Sequence, residues 1–174
     1  MHRRRFLSLA TRGLAAATLA PWLAPAPRAG ASSGARALLA SSPYVYVSPL
    51  LRDGSESTCH AELWFGWIDG AVVVTVSRDR WKARAIRSGR SRARIWVGDH
   101  GRWRGVLWND ESFREAPSFE ARGEIVADAR LLDALLALYE TKYPDEIGQW
   151  RDRMRSGHAD GSRVLVRYVP LDLA

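Results

Sequence analysis

The stretch from Ala61 to Val76, AELWFGWIDGAVVVTV, restricts the fold of this chain more than any other part of it. Two blocks of aromatic and β-branched residues flank the pair Asp69-Gly70. Asp-Gly between apolar runs is the strongest short-range hairpin signal, because glycine accepts the positive φ that a tight turn demands. Residues 61–67 and 71–76 are therefore expected as antiparallel neighbours, the second of them buried in character.

The same punctuation recurs along the chain. Tyr44-Val45-Tyr46-Val47 is rich in strand formers and is followed by a turn at Asp53-Gly54. Arg92 to Val97 alternates polar and apolar residues, as a half-buried strand does, and Asp99-His100-Gly101 turns it into a further strand over 103–108. Phe119, Ala121, Gly123 and Ile125 put one face of a strand inward, and Asp160-Gly161 introduces a closing strand over 163–169. Between these lie helical signals. Ser77-Arg78-Asp79 can cap a short helix over 80–87. Leu131, Leu132, Leu135, Leu136, Leu138 and Tyr139 recur at helical spacing behind Asp128, a suitable N-cap; Pro144 ends or bends that helix before an amphipathic one over 145–155. The expected class is mainly β with peripheral helices: six to seven mostly antiparallel strands, a short helix after strand three and a helical pair before the last strand. A closed or partly closed barrel best removes the exposed edges of so many short strands.

The N-terminus has a different character. Met1-His2-Arg3-Arg4-Arg5-Phe6-Leu7 is a positive cluster running into apolar residues, and Gly13 to Leu23 is an Ala/Leu-rich run interrupted by Pro21. That run is far shorter than the roughly 20 apolar residues of a spanning helix, so it fits a cleavable signal and gives no stable membrane anchor. Arg3-Arg4-Arg5-Phe6-Leu7 resembles the twin-arginine consensus, with His2 where Ser or Thr usually stands. Small-residue cleavage patterns follow at Ala29-Gly30-Ala31 and Ala35-Arg36-Ala37. The expected organisation is a twin-arginine signal over 1–31, a flexible lead-in over 32–42 and one domain over 43–174, exported to the periplasm or beyond through the twin-arginine machinery.

Removing the signal changes the charge argument. The whole chain carries +7, but residues 1–31 hold five arginines and no acid, so only +2 remains on the rest, with acids mixed among the bases. Nucleic-acid binding is not indicated. About 140 residues are left, enough for one domain with its own core. The single cysteine, Cys59, cannot form an internal disulfide, which is compatible with folding in the cytoplasm before translocation.

Most catalytic patterns are absent: no GxSxG, P-loop, HExxH or CxxC occurs. His60, His100 and His158 lack metal-ligand spacing, and Cys59 reads as a small packing residue. One stretch stands out. Thr75 to Arg84 ends a strand in hydroxyl residues and places Arg78, Arg80, Lys82 and Arg84 within seven positions around a helix start. Free N–H groups and adjacent bases attract an anion such as a cofactor phosphate, although a basic solvated helix face would have the same composition.

Residues 43–97 resemble the first half of the pyridoxamine 5′-phosphate oxidase-like, FMN-binding split-barrel family. The likeness rests on Trp64-Phe65, Asp69-Gly70, Thr75, Ser77 and Lys82-Ala83-Arg84, and later on Gly123-Glu124-Ile125-Val126, the leucine helix and Lys142-Tyr143-Pro144. It implies a homodimer with its cofactor at the subunit interface, phosphate contacts from Thr75 and Lys82, and weaker matches at Ser77 and Arg84. Trp81 departs from the basic or polar residue often found there. The arginine-rich strand and substrate-phosphate residues of true pyridoxamine phosphate oxidases have no counterpart, which argues against a vitamin B6 substrate. Related split barrels bind deazaflavin or haem, so FMN is the first of three cofactor expectations. Trp64, Trp67 or Trp96 could flank a flavin ring or simply pack in the core. With the cofactor performing the redox chemistry, an oxidoreductase needs no catalytic triad; a non-catalytic carrier is the alternative.

Overall fold

The structure, a computed structural model, describes residues 29–100 and 111–173. Residues 1–28 of the signal expected over 1–31, and the strand expected over 103–108, lie outside the described residues. Seven strands, β1 (Tyr44–Pro49), β2 (Ala61–Trp64), β3 (Gly66–Ile68), β4 (Ala71–Ser77), β5 (Arg92–Val97), β6 (Ser118–Val126) and β7 (Arg163–Pro170), form one sheet in the order β2-β1-β5-β6-β7-β4-β3. Every paired neighbour is antiparallel. Phe65 alone separates the two end strands in the chain, so the sheet curls into a nearly closed barrel split at that residue. The strand expected over 61–67 is therefore two strands with a break. The Asp69-Gly70 turn behaves as its chemistry demands: both residues have positive φ, 49° and 70°, and Ile68 pairs directly with Ala71.

Four helices surround the barrel: α1 (Ala29–Leu38), α2 (Trp81–Arg87), α3 (Ala129–Lys142) and α4 (Pro144–Ala159). The first corrects the expected flexible lead-in over 32–42. Ala35 and Leu39 are one helical turn apart and fully buried in the barrel core, and a Cβ on Gly34 would lie 3.3 Å from Pro117, so the helix packs close against the sheet. The second starts one residue later than the capping pattern suggested. Arg80 is its N-cap with no side-chain cap, while Ser77 stays in β4 opposite Arg163. Asp128 caps α3 as expected, its Oδ1 accepting from the N–H groups of Arg130 (2.9 Å) and Leu131 (3.1 Å).

Alternation sorts the side chains into two cores. Val45, Val47, Phe65, Val72, Val74, Ile95, Phe119, Val166 and Tyr168 fill the barrel. Val73 and Leu165 point the other way, onto Leu135, Leu136 and Tyr139 of α3 and Ile147 and Met154 of α4. β4 is thus covered on both faces, which explains its unbroken valines. Burying one such leucine is worth about 2 kcal/mol. Gly123 lets β6 cross Tyr168, since a Cβ there would meet the ring at 2.7 Å.

The break at Phe65 leaves backbone groups without ladder partners, and the end of α3 supplies substitutes. The Tyr139 hydroxyl donates to Trp64 O (2.8 Å), Lys142 Nζ donates to Phe65 O (3.3 Å), and Phe65 N–H donates to the Tyr143 hydroxyl (3.3 Å). Tyr143 in turn donates to Pro43 O and stacks on Trp64 at 4.3 Å.

Candidate functional site

β4 delivers Thr75 to the face that carries α3 and α4, next to Val73 and opposite Leu165 of β7. There the Thr75 hydroxyl meets two side chains remote in sequence. His158, in the last turn of α4, places Nε2 2.7 Å from Thr75 Oγ1. Arg163, the first residue of β7, donates from Nε to Thr75 Oγ1 and from Nη2 to Thr75 O, both at 3.2 Å. The turn at Asp160-Gly161, with Gly161 at φ 75°, reverses the chain between these two residues.

His158 and Arg163 line a cavity of ≈ 690 Å³ bounded by the ends of β6 and α4 and the starts of α3 and β7. Ile125, Leu132 and Val164 give it an apolar wall. Arg78, Arg87 and Arg155 also line it. Arg78 N–H donates to Ser162 O (2.8 Å) and Arg87 Nη2 to Arg78 O (2.7 Å), tying the β4–α2 turn to the α4–β7 turn. Arg155 is paired with Asp133 at 2.8 Å. Among the described residues, Arg78, Arg87 and Arg163 form no ion pair. Asp128 reaches the cavity too, but its Oδ1 is engaged in capping α3.

Burial and, secondarily, the charge of Arg163 lower the pKa of His158, which favours the neutral ring. Burial also lowers the pKa of Arg163, partly offset by Tyr139. The arrangement suits a ligand that joins an anionic group to an apolar body. Concave sites of this volume, mostly apolar with a few convergent polar groups, are typical of cofactor binding.

The four residues expected from sequence do not converge. Thr75 stands behind His158 and Arg163 and is itself buried. Ser77 is half-buried at the end of β4. Lys82 lies on α2 at 5 % exposure, its pKa lowered chiefly by burial, with Cys59 as the nearest opposing influence. Arg84 is exposed, 5.9 Å from the Trp81 ring. No hydrogen bond or ion pair joins any two of these four among the described residues. Trp64 and Trp96 pack in aromatic clusters and Trp67 against the barrel core, so none of the three lines the cavity. No cluster of His, Cys, Asp or Glu suited to a metal ion occurs among the described residues.

Arg163 and Arg87 were not singled out as ligands by sequence, and His158 was weighed only as a metal ligand. A usable signal was the register: a closing strand beginning after Asp160-Gly161 and paired antiparallel with β4 brings Arg163 opposite Ser77.

No family model matches the chain, and no curated protein matches it. Solved structures do. The heme storage protein HutZ of Vibrio cholerae aligns over 78 % of this chain and 86 % of its own, with 14 % identity and a TM-score of 0.52. The conserved hypothetical protein Rv2991 of Mycobacterium tuberculosis aligns over 84 % and 82 %, with 20 % identity and a TM-score of 0.51. ChuZ of Campylobacter jejuni aligns over 84 % of this chain and 55 % of its own, with 12 % identity and a TM-score of 0.51. At these identities the likeness is one of fold, and it agrees with the split barrel described above.

Proposed function

We propose that this chain is an exported, flavin-binding oxidoreductase-like protein, with FMN as its first cofactor and a homodimer as its working form. The observation that carries the reading is the cavity beside Thr75, where three guanidiniums that form no ion pair among the described residues face an apolar wall. Its volume of ≈ 690 Å³ accommodates a flavin mononucleotide. Arg78, Arg87 and Arg163 would hold the phosphate through charge-assisted bonds, and Ile125, Leu132 and Val164 would pack on the ring system. A bound flavin supplies electron or hydride transfer; the chain supplies the anion site, a wall that excludes water and a histidine held in place by Thr75. Thr75 supports this site from behind, and Ser77, Lys82 and Arg84 form the rival phosphate site expected from sequence.

Deazaflavin fits the same charge logic. Haem is a second reading, supported by the function named for HutZ and by the position of His158 on the cavity wall. It ranks lower because His158 Nε2, the less hindered nitrogen, is already engaged by Thr75.

Purified protein mixed with FMN should develop a bound-flavin absorption band. Arg163→Leu should weaken retention about tenfold to a hundredfold, the loss of one or two charge-assisted hydrogen bonds, whereas Lys82→Ala should leave it within about twofold. Loss of FMN in the Lys82 variant alone would return the phosphate to α2. A colourless protein that binds no added flavin but yields a haem Soret band would replace the reading with the haem one.

A further inference from the structure

Arg163, Thr75 and His158 form a chain of hydrogen bonds whose direction is fixed at one end. A guanidinium can only donate, so Thr75 Oγ1 accepts from Arg163 Nε at 3.2 Å. The threonine hydroxyl then has its own proton to give, and His158 Nε2 lies 2.7 Å away. Among the described residues that nitrogen is the one acceptor within reach of the hydroxyl proton, so Thr75 donates to it and the ring proton sits on Nδ1. Thr75 is 8 % exposed and does not line the cavity, whereas His158 does. The hydroxyl can therefore act on a ligand only through the two side chains it bonds, His158 and Arg163.

We propose that Thr75 is a positioning residue: it holds His158 as the Nδ1–H tautomer, a neutral hydrogen-bond donor at the cavity wall, and an anion bound in the cavity draws a second proton onto Nε2. The site thus takes up a proton with its anion. The inference rests on the anion-binding reading of the cavity but not on the anion being a flavin phosphate. The groups around His158 set the sign. Arg163 from β7, Arg155 from its own helix, Arg78 from the β4–α2 turn and Arg87 from α2 are positive. The acids of α3 are committed, Asp128 to its helix N-terminus and Asp133 to Arg155. An incoming anion would supply the negative charge that stabilises an imidazolium here, and burial already keeps the empty-site ring short of protons. By linkage, whatever raises the proton affinity of His158 on binding also makes binding tighter as pH falls.

The test uses the full chain, ¹⁵N-labelled, with sulfate as probe because its charge is constant between about pH 5 and about pH 8. Before any ligand, the His158 ring nitrogens should report the Nδ1–H tautomer, with assignment by His158→Asn. Saturating sulfate should move the His158 midpoint up by about one pH unit, and sulfate affinity should rise several-fold over the matching interval. Thr75→Ser, which keeps the hydroxyl, should preserve both results. Thr75→Val should abolish the tautomer preference while sulfate still binds. An Nε2–H tautomer in the ligand-free wild type, or sulfate that binds without moving His158, overturns the proposal, and neither observation requires a mutant to fold. FMN separates the two readings: sulfate that moves His158 in a protein that refuses FMN leaves the relay standing and removes the flavin, whereas FMN that binds without moving His158 does the reverse.

Discussion

Lys142 sits at the end of α3 with its ammonium 3.6 Å from the centre of the Phe65 ring and donates to Phe65 O at 3.3 Å. Both partners are neutral, and burial lowers its pKa from 10.5 to about 8. In the unfolded chain the same amine keeps its proton to much higher pH. Between about pH 8 and about pH 10.5 the unfolded state therefore binds more protons than the native one, and stability rises with pH across that window. Below it both states are charged and the native one bears the desolvation cost throughout. The expected outcome is a urea midpoint that climbs over this interval in the wild type and climbs less in Lys142→Met, measured side by side so that other titrating groups cancel. The string Lys142-Tyr143-Pro144 was visible in the sequence as a family resemblance, but its work was not. That work is to satisfy the backbone at a strand break, and the break at Phe65 shows in no local pattern, because Trp64, Phe65, Gly66 and Trp67 all read as one strand. Lys82 shows a related limit: spacing places a lysine near a helix start but cannot say that it is buried.

At the scale of elements, the readable parts were those governed by local chemistry. Asp69-Gly70 dictated a hairpin, Asp128 a helix start and Pro144 the boundary between two helices, and each appears where expected. α1 was missed because its Ser, Ala and Gly residues carry little helical pattern; what orders it is the tertiary burial of Ala35 and Leu39. This bears on which cleavage pattern is used. Cutting after Ala37 would discard Ala35 and most of a helix that packs on β5 and β6, while cutting after Ala31 keeps Ala35, Leu39 and the close approach of Gly34 to Pro117. The mature protein recovered from the exporting host is expected to begin at Ser32, as read by N-terminal sequencing or intact mass. A start at Leu38 would mean that the barrel tolerates the loss of this helix, and the mature form should then unfold at a lower urea concentration than the precursor.

At the scale of the whole molecule, the proposed route of export bears on the proposed site. The barrel is assembled from pairings distant in sequence, β1 with β5 and β4 with β7, and the end of α3 bonds the break at Phe65. Such topologies fold slowly, because loop closure precedes the contacts that reward it. The cavity exists only when α2, β6, α3, α4 and β7 have come together, since Arg87, Ile125, Leu132, His158 and Arg163 belong to those elements. That is also why the candidate site was only partly legible: Thr75 and Arg78 lie in one conspicuous basic stretch, but their partners arrive from the far end of the chain. A protein of this kind, stapled by no disulfide, can acquire a cofactor made in the cytoplasm only if it folds there first. The proposed twin-arginine signal meets that requirement, being an address read on a chain that is already folded. Replacing Arg3 and Arg4 together by Lys should therefore leave the precursor in the cytoplasmic fraction, folded and carrying the proposed flavin, with the periplasmic fraction depleted at least about tenfold. Fractionation followed by absorption spectra of both pools checks each part. Undiminished export of the double variant would point to a route for unfolded chains, and the barrel would then have to close, and find its ligand, on the far side of the membrane.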